Sequence, residues 1–136
     1  MILKGTCMQI HLFISDTAPA RDRIKAELKK ILATNTAIHH QSPDDFHPIT
    51  TGAYNEPIAS VVMPANNKEL SRLAQIKYFW SSSKNILILP DEAPETLKLA
   101  GLIRPVFITN MEDDFSKVVL ILKHIKDRFE MDIQTP

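Results

Sequence analysis

The sequence predicts an α/β domain in which a doubly wound, five-stranded parallel sheet lies between two layers of helices. Short runs of strand-forming residues alternate with helical stretches about five times along the chain, which is typical of a parallel sheet with crossover helices. The run 58–63 is apolar on both faces, as expected of a central strand that is covered on both sides. The length of 136 residues suits a single domain, and we assign all of 1–136 to it.

The first quarter of the chain predicts a strand, a helix and a second strand. The run 9–14 is short and rich in strand formers, and the helix over 17–34 has a threonine cap and Pro19 in its first turn. A short, weak strand is predicted at 37–40. Three prolines and a glycine interrupt 41–57, so we expect an irregular stretch there with at most one or two helical turns.

The middle of the chain predicts the two central strands. The run 58–63 ends at a proline, and Asn66 or Asn67 can cap a helix that extends to about Trp80. The clearest strand pattern of the chain, 85–89, follows a serine-rich loop and is also ended by a proline.

The last part of the chain predicts a helix, the fifth strand and a final helix. Residues 94–102 form a short helix, and 106–109 form the strand. Asp113 or Asp114 is expected to cap the final helix, which extends to about Phe129.

Composition excludes several classes of function. Lysine plus arginine and aspartate plus glutamate both number 16, so the formal net charge is zero. A broad basic surface for nucleic acid is therefore absent, while a near-zero charge does little to keep copies of the chain apart. No apolar run approaches the ~20 residues that span a bilayer. The lone cysteine, Cys7, excludes an internal disulfide, so we expect a cytoplasmic protein. We expect residues 1–7 to form a loose extension before the first strand.

Short motifs at the predicted strand ends resemble those of a known family. Strand one is followed by Ser15, Asp16 and then Arg21, and strand three ends in the pair Met63-Pro64. Together with the order of elements over residues 8–130, these motifs resemble the receiver domain of two-component response regulators. The resemblance implies a flavodoxin-like, three-layer sandwich.

The positions that carry chemistry in a receiver differ in this chain. Where a typical receiver has two acidic residues after strand one, this chain has Ser15 and Asp16. Where the phosphorylated aspartate precedes the proline by four positions, this chain has Ser60. The usual Ser or Thr of strand four falls near Leu89 or Pro90, and the usual lysine of strand five falls near Asn110. The phosphorylation site is therefore expected to be degenerate.

These differences imply a pseudo-receiver that regulates by protein contact, with no cofactor, metal or catalysis. A labile acyl phosphate requires a carboxylate, whereas Ser60, expected to project into the cleft, is an uncharged alcohol. Asp16 alone is a poor substitute for the set of oxygen ligands that Mg²⁺ prefers. The pair Arg104-Pro105 is a displaced equivalent of the receiver's lysine and proline only if strand five lies earlier than 106.

Two alternative functions remain open from the sequence. One is an unusual phosphorylatable receiver that uses Asp16 together with another acidic residue such as Asp45. The other is a flavodoxin-like nucleotide- or flavin-binding protein, with its ligand at the carboxyl ends of the strands near Ser15, Ser60 and Pro90. The absence of a glycine-rich loop argues against this second alternative.

The last helix suggests a contact surface. Its residues 118–122 are apolar all round, although packing on a sheet requires only one stripe, so Leu120 and Ile121 are surplus. We expect them, with His124 and with Leu99 of the preceding helix, to bind a protein partner, other domains of a larger regulator, or a second copy of the chain.

The histidines are the remaining candidates for metal binding. The spacing of His39, His40 and His47 matches no strong zinc pattern, and no cysteine lies near them. We therefore assign no metal site.

Overall fold

The computed structural model describes residues 9–32, 37–45, 58–76 and 79–134. The strands are β1 (Gln9–Ile14), β2 (Ala37–His40), β3 (Ile58–Met63), β4 (Ser83–Leu89) and β5 (Pro105–Asn110). The helices are α1 (Arg21–Leu28), α2 (Asn67–Ala74), α3 (Pro94–Leu102) and α4 (Ser116–Gln134), and a 3₁₀ turn at Trp80–Ser82 precedes β4.

All five strands are parallel and lie in the order β2-β1-β3-β4-β5. This is the doubly wound, flavodoxin-like topology, so the predicted fold class is confirmed. The order reverses between β1 and β3, and helices therefore cover both faces of the sheet. The strands end together along one side of the sheet, which we call the carboxyl edge.

Alternation along the strands divides the core into two layers. Leu12, Val61 and Ile86 belong to the layer that packs against α1 and α4. Phe13 and Val62 belong to the layer that packs against α2 and α3. Because both faces of the central strands are buried, these strands are continuous apolar runs in the sequence.

The first helix is shorter than predicted. It begins at Arg21 rather than at Thr17, because the preceding residues form turns in which Ala18 N–H donates to the Ser15 carbonyl and Arg21 N–H donates to the Ala18 carbonyl. Asp16 and Thr17 therefore do not cap it. Its regular part ends at Leu28, well before the predicted end near 34.

Helix α2 begins as predicted but ends earlier. The Asn66 side chain accepts from the backbone N–H of Glu69 at 2.9 Å, so this residue caps the helix. The predicted end near Trp80 is wrong, because α2 stops at Ala74. The indole of Trp80 instead returns to the core and donates at 2.9 Å to the Leu73 carbonyl, which also accepts from the backbone N–H of Ile76.

The last helix extends five residues beyond its predicted end, to Gln134. Asp114 Oδ1 accepts from the backbone N–H of Ser116 at 2.9 Å, so an aspartate serves the start of α4 as predicted. The buried residue Phe115 between them has a φ of 66°, in the left-handed region.

The prediction that β5 covers 106–109 is nearly right, since the strand adds one residue at each end.

Some predictions lie outside the described residues. They concern the extension at 1–7, His47, and most of the irregular stretch 41–57. Within that stretch, 43–45 form a single 3₁₀ turn, as the breaker residues allow. In the four described ranges, no helix is long and apolar enough to cross a membrane.

Candidate functional site

The polar groups of Ser15, in the loop after β1, form hydrogen bonds within the chain. The backbone N–H of Ser15 donates to the Met63 carbonyl at 3.0 Å, which extends the pairing of β1 and β3 by one residue. The buried Ser15 hydroxyl lies 3.3 Å from the Thr17 hydroxyl. Ser15 thus lies at the carboxyl edge, as predicted, but its polar groups are used within the chain.

Asp16 lies beside Ser15 and is strongly exposed. Its Oδ1 lies 3.8 Å from Nε of Arg21, a loose pair between side chains that are 78% and 41% exposed. An exposed pair of this length contributes little to stability. Asp16 is therefore the one acidic side chain that the β1 loop presents outward.

The loops after β4 and β5 also meet at the carboxyl edge. Asn110 donates to Glu92 Oε2 at 3.1 Å and accepts from the backbone N–H of Glu112 at 2.9 Å. Pro90 is half-buried at the end of β4, and the next residue, Asp91, accepts from the Thr96 hydroxyl at 2.5 Å. Hydrogen bonds from Thr96 and from the backbone of Ala93 hold the pKa of Asp91 below its usual value.

Ser60 is separated from these positions. It lies in the middle of β3, in register with His11 of β1 and Asn85 of β4, and it is fully buried. Its hydroxyl donates to Asn85 Oδ1 at 2.9 Å. The prediction that Ser60 projects into the cleft is wrong, because β3 continues for three residues beyond it to Met63.

The pair Arg104-Pro105 also lies away from the carboxyl edge. Pro105 begins β5, so the pair is at the opposite end of the strand from Asn110. Arg104 is exposed and has a φ of 55° in the turn from α3. It is therefore not a displaced equivalent of the receiver's lysine.

The carboxyl edge does not fit the magnesium ion of a phosphorylatable receiver. The serine at the acceptor position is in the core, and the Ser15 hydroxyl faces Thr17. Asp45, the other acidic candidate, accepts from the backbone N–H groups of Gln41 and Ser42 at 3.1 and 3.2 Å and so caps a turn. Across the part of the chain that the structure describes, no three His, Cys, Asp or Glu side chains are grouped to hold a metal ion.

A row of polar side chains instead crosses the buried sheet beneath α2 and α3. His11, Ser60 and Asn85 occupy matching positions on adjacent strands, and all three are fully buried. Asn85 Nδ2 donates to the carbonyl of Trp80 at 2.9 Å and to the carbonyl of Ile103 at 2.8 Å. Asn85 thus connects β3, the turn before β4 and the end of α3.

The polar row continues to the edge strand β2 through a pair of histidines. His11 Nδ1 lies 2.9 Å from His40 Nε2, and the planes of the two rings are 12° from parallel. Gln9 Oε1, which can only accept, lies 3.0 Å from His11 Nε2. Neutral His11 therefore carries its proton on Nε2, and His40 Nε2–H donates to His11 Nδ1.

Burial keeps both histidines neutral. It lowers the pKa of His11 from 6.5 to about 4, with His40 adding to the effect. Burial also lowers the pKa of His40, against the attraction of Asp45. Sequence reasoning missed this pair because it treated His39 and His40 only as metal candidates. One signal was present: a polar residue interrupts the apolar run of β1 and that of β3, and another directly precedes the apolar run 86–89 of β4.

The predicted contact residues do not form one surface. Leu99 is half-buried against the core layer under α2 and α3, whereas Ile121 is half-buried against the layer under α1. Leu120 is 66% exposed and points away from the sheet, because it lies between the buried Val118 and Leu122 on the helix. His124 is exposed on the same helix. The prediction of a surplus apolar residue holds for Leu120 and is wrong for Ile121.

Exposed apolar side chains nevertheless concentrate around β5. Leu102, Val106 and Ile108 are 60%, 52% and 44% exposed. Ile108 lies opposite Leu87 in the register, so it faces the side of the sheet that α2 and α3 cover, and Val106 shares that side. Because β5 is the last strand in the sheet order, we call these three residues the apolar edge.

The chain was compared with models of known families, with curated proteins and with solved structures, and none of the three comparisons finds a match.

Acid should destabilise the fold through the histidine pair. In the unfolded chain His11 binds a proton below pH 6.5, whereas in the fold it does so only near pH 4, so stability present above pH 6.5 is lost as the pH falls toward 4. The lowered pKa corresponds to roughly 3 kcal/mol. Urea unfolding between pH 7.5 and 4.5 measures this loss, and His11→Phe should flatten the profile. His124→Gln, which changes an exposed histidine, is the matched control. A flat wild-type profile contradicts the assignment.

Truncations within the polar row should differ in cost. Asn85→Ala leaves the Trp80 and Ile103 carbonyls and the Ser60 hydroxyl without their partner, so we expect a loss of about 3 kcal/mol or more. Ser60→Ala removes one bond and should cost about 1 kcal/mol. Denaturant unfolding measures both, and equal costs would show that Asn85 does not hold the row together.

Proposed function

We propose that this chain is a non-enzymatic regulatory domain that acts by binding another protein. The observation that supports this most directly is the apolar edge, where Leu102, Val106 and Ile108 are each more than two-fifths exposed. These side chains adjoin an edge strand, whose outer backbone groups can pair with an added strand. An extended segment of a partner would find both hydrogen bonds and apolar contacts there.

The composition of β5 supports a contact surface. Exposed edge strands usually carry charged residues that prevent unwanted pairing. The six residues Pro105–Asn110 include no charged side chain, and the charged Arg104 and Glu112 lie just beyond its ends. Pro105 and an irregularity beside Asn85 restrict only the beginning of the strand.

The resemblance to receivers supports the same assignment. Receivers commonly signal or dimerise through the last helix together with the strand and helix before it, and α3, β5 and α4 occupy those places in this chain. Ser15 and Ser60 stand where the family has carboxylates, so regulation by phosphorylation of the usual position is not part of the proposal. In this proposal the domain regulates by binding or releasing a partner protein at its contact surface.

A second copy of the chain is the alternative partner. The formal net charge of zero gives little electrostatic repulsion between copies, and two β5 strands can pair about a twofold axis. The experiment below separates this alternative from a different protein by the mass of the product.

Photo-cross-linking tests the contact surface. A photo-reactive amino acid at Val106, in the full chain expressed in its source cells, should give a product of one defined mass because a partner covers this position. The same group at Leu120, which is more exposed than Val106 but lies away from β5, is the matched control and should give none. A product of twice the chain mass identifies a homodimer.

Ile108→Lys should abolish that product because it places a charge on the apolar edge. Its melting temperature should stay close to that of the wild type because the side chain is exposed. Equal products from positions 106 and 120, or none from 106, would contradict the apolar edge as the contact surface.

Beryllofluoride with Mg²⁺ tests the phosphorylatable alternative. We expect no rise in melting temperature, because Asp16 is the sole acidic side chain presented by the β1 loop and Asp45 caps a turn. A ligand that binds the folded state at a hundred times its Kd would stabilise by about 2.7 kcal/mol, a readily measured shift. A clear rise that Asp16→Asn abolishes would replace the proposal by a working receiver.

A further inference from the structure

A groove lies between α1 and β2, at the side of the sheet opposite the apolar edge. It has a volume of about 150 Å³ and is open to solvent. Leu12 of β1 and Ala37 of β2 line it from the sheet, and Leu28 and Leu32 line it from the helix side. Apart from the ends of polar side chains at its rim, the groove is therefore apolar.

The rim of the groove is basic. Lys25 of α1 and Lys29 directly after its end, one helical turn apart, line it together with the exposed His39 of β2, and no acidic side chain of the described residues does. Neither lysine forms an ion pair within the described ranges, whereas the neighbouring Lys30 pairs with Glu27 at 2.9 Å. Like charges at this spacing repel each other.

This local charge is not a consequence of a basic chain, because the formal net charge is zero. Two ammonium groups that form no ion pair with any described residue, at the mouth of an apolar groove, make a site that is complementary to an amphipathic anion. The apolar part of such a ligand would bury the surfaces of Leu28 and Leu32, and its anionic head would relieve the repulsion between Lys25 and Lys29.

We propose that the α1–β2 groove binds a small aliphatic carboxylate with a chain of about six carbons. A cavity of about 150 Å³ accepts a six-carbon molecule such as benzene, so the volume limits the apolar part to this size. Lysine ammonium groups present point charges rather than a fixed fork, and a single carboxylate can accept from both. The proposal does not depend on the apolar edge, which is at the other end of the sheet.

Titration of the full chain with hexanoate, followed by ¹H–¹⁵N correlation spectra, tests the proposal. Saturable shifts in the low-millimolar range are expected, concentrated at residues 25–32 and 37–39. Hexan-1-ol lacks the charge and acetate lacks the aliphatic chain, so the Kd of each should be at least about tenfold higher than that of hexanoate. Added salt should weaken hexanoate binding.

Paired charge variants locate the site. Lys25→Gln with Lys29→Gln should weaken hexanoate binding by about tenfold. Lys98→Gln with Lys117→Gln removes the same charge from exposed positions on α3 and α4 and should leave it unchanged. Ala37→Leu, which fills the groove, should abolish binding while the dispersion of the spectrum reports that the fold is retained.

Several results would overturn the proposal. These are hexanoate shifts that do not saturate, hexan-1-ol or acetate binding as tightly as hexanoate, or equal weakening by both pairs of lysine variants. The comparison of the three ligands uses the unmodified chain, so it decides the matter even where a variant fails to fold.

Discussion

The hydrogen bonds of one buried amide organise the sheet. Asn85 joins the Ser60 hydroxyl on β3 to the carbonyls of Trp80 and Ile103, which precede β4 and β5. A buried polar side chain is costly unless its hydrogen bonds are made, and here each bond reaches a different segment. Asn85 therefore ties the segments that lead into the last two strands to the central strand β3.

The same constraint changes the meaning of the receiver resemblance. Ser60 follows the family spacing to the Met63-Pro64 pair, yet its hydroxyl belongs to the polar row and not to a cleft. A carboxylate in its place would be buried beside an amide oxygen, with a large desolvation cost. The serine that the resemblance aligns with the phosphorylated aspartate thus hydrogen-bonds within the core of this chain.

The polar row also gives the two ends of the sheet different properties. At the β2 end, His11 and His40 share one hydrogen bond and remain neutral through burial, which makes the attachment of this edge strand sensitive to acid. At the β5 end the edge is held by Asn85, which does not titrate, and its outer side is apolar and exposed. The proposed small-ligand groove and the proposed protein surface therefore lie at edges that respond differently to pH.

The fold class could be predicted from the sequence alone, because five short apolar runs separated by helical stretches have few arrangements other than a parallel sheet covered on both faces. The sequence also located the caps near Asn66 and Asp114, since the residues that cap helices do so through contacts only two or three positions away.

Helix ends were decided by the tertiary structure: the pattern that continued α2 to Trp80 was broken because that indole packs back onto the end of the helix. Only the tertiary structure placed Ser60 beside Asn85 and His11 beside His40, 25 and 29 residues apart in the chain. It also packed Ile121 half-buried against the core and left Leu120 exposed. Strand register and helix rotation bring such residues together or apart, and both depend on side-chain packing across the whole sheet, which a local sequence pattern does not contain.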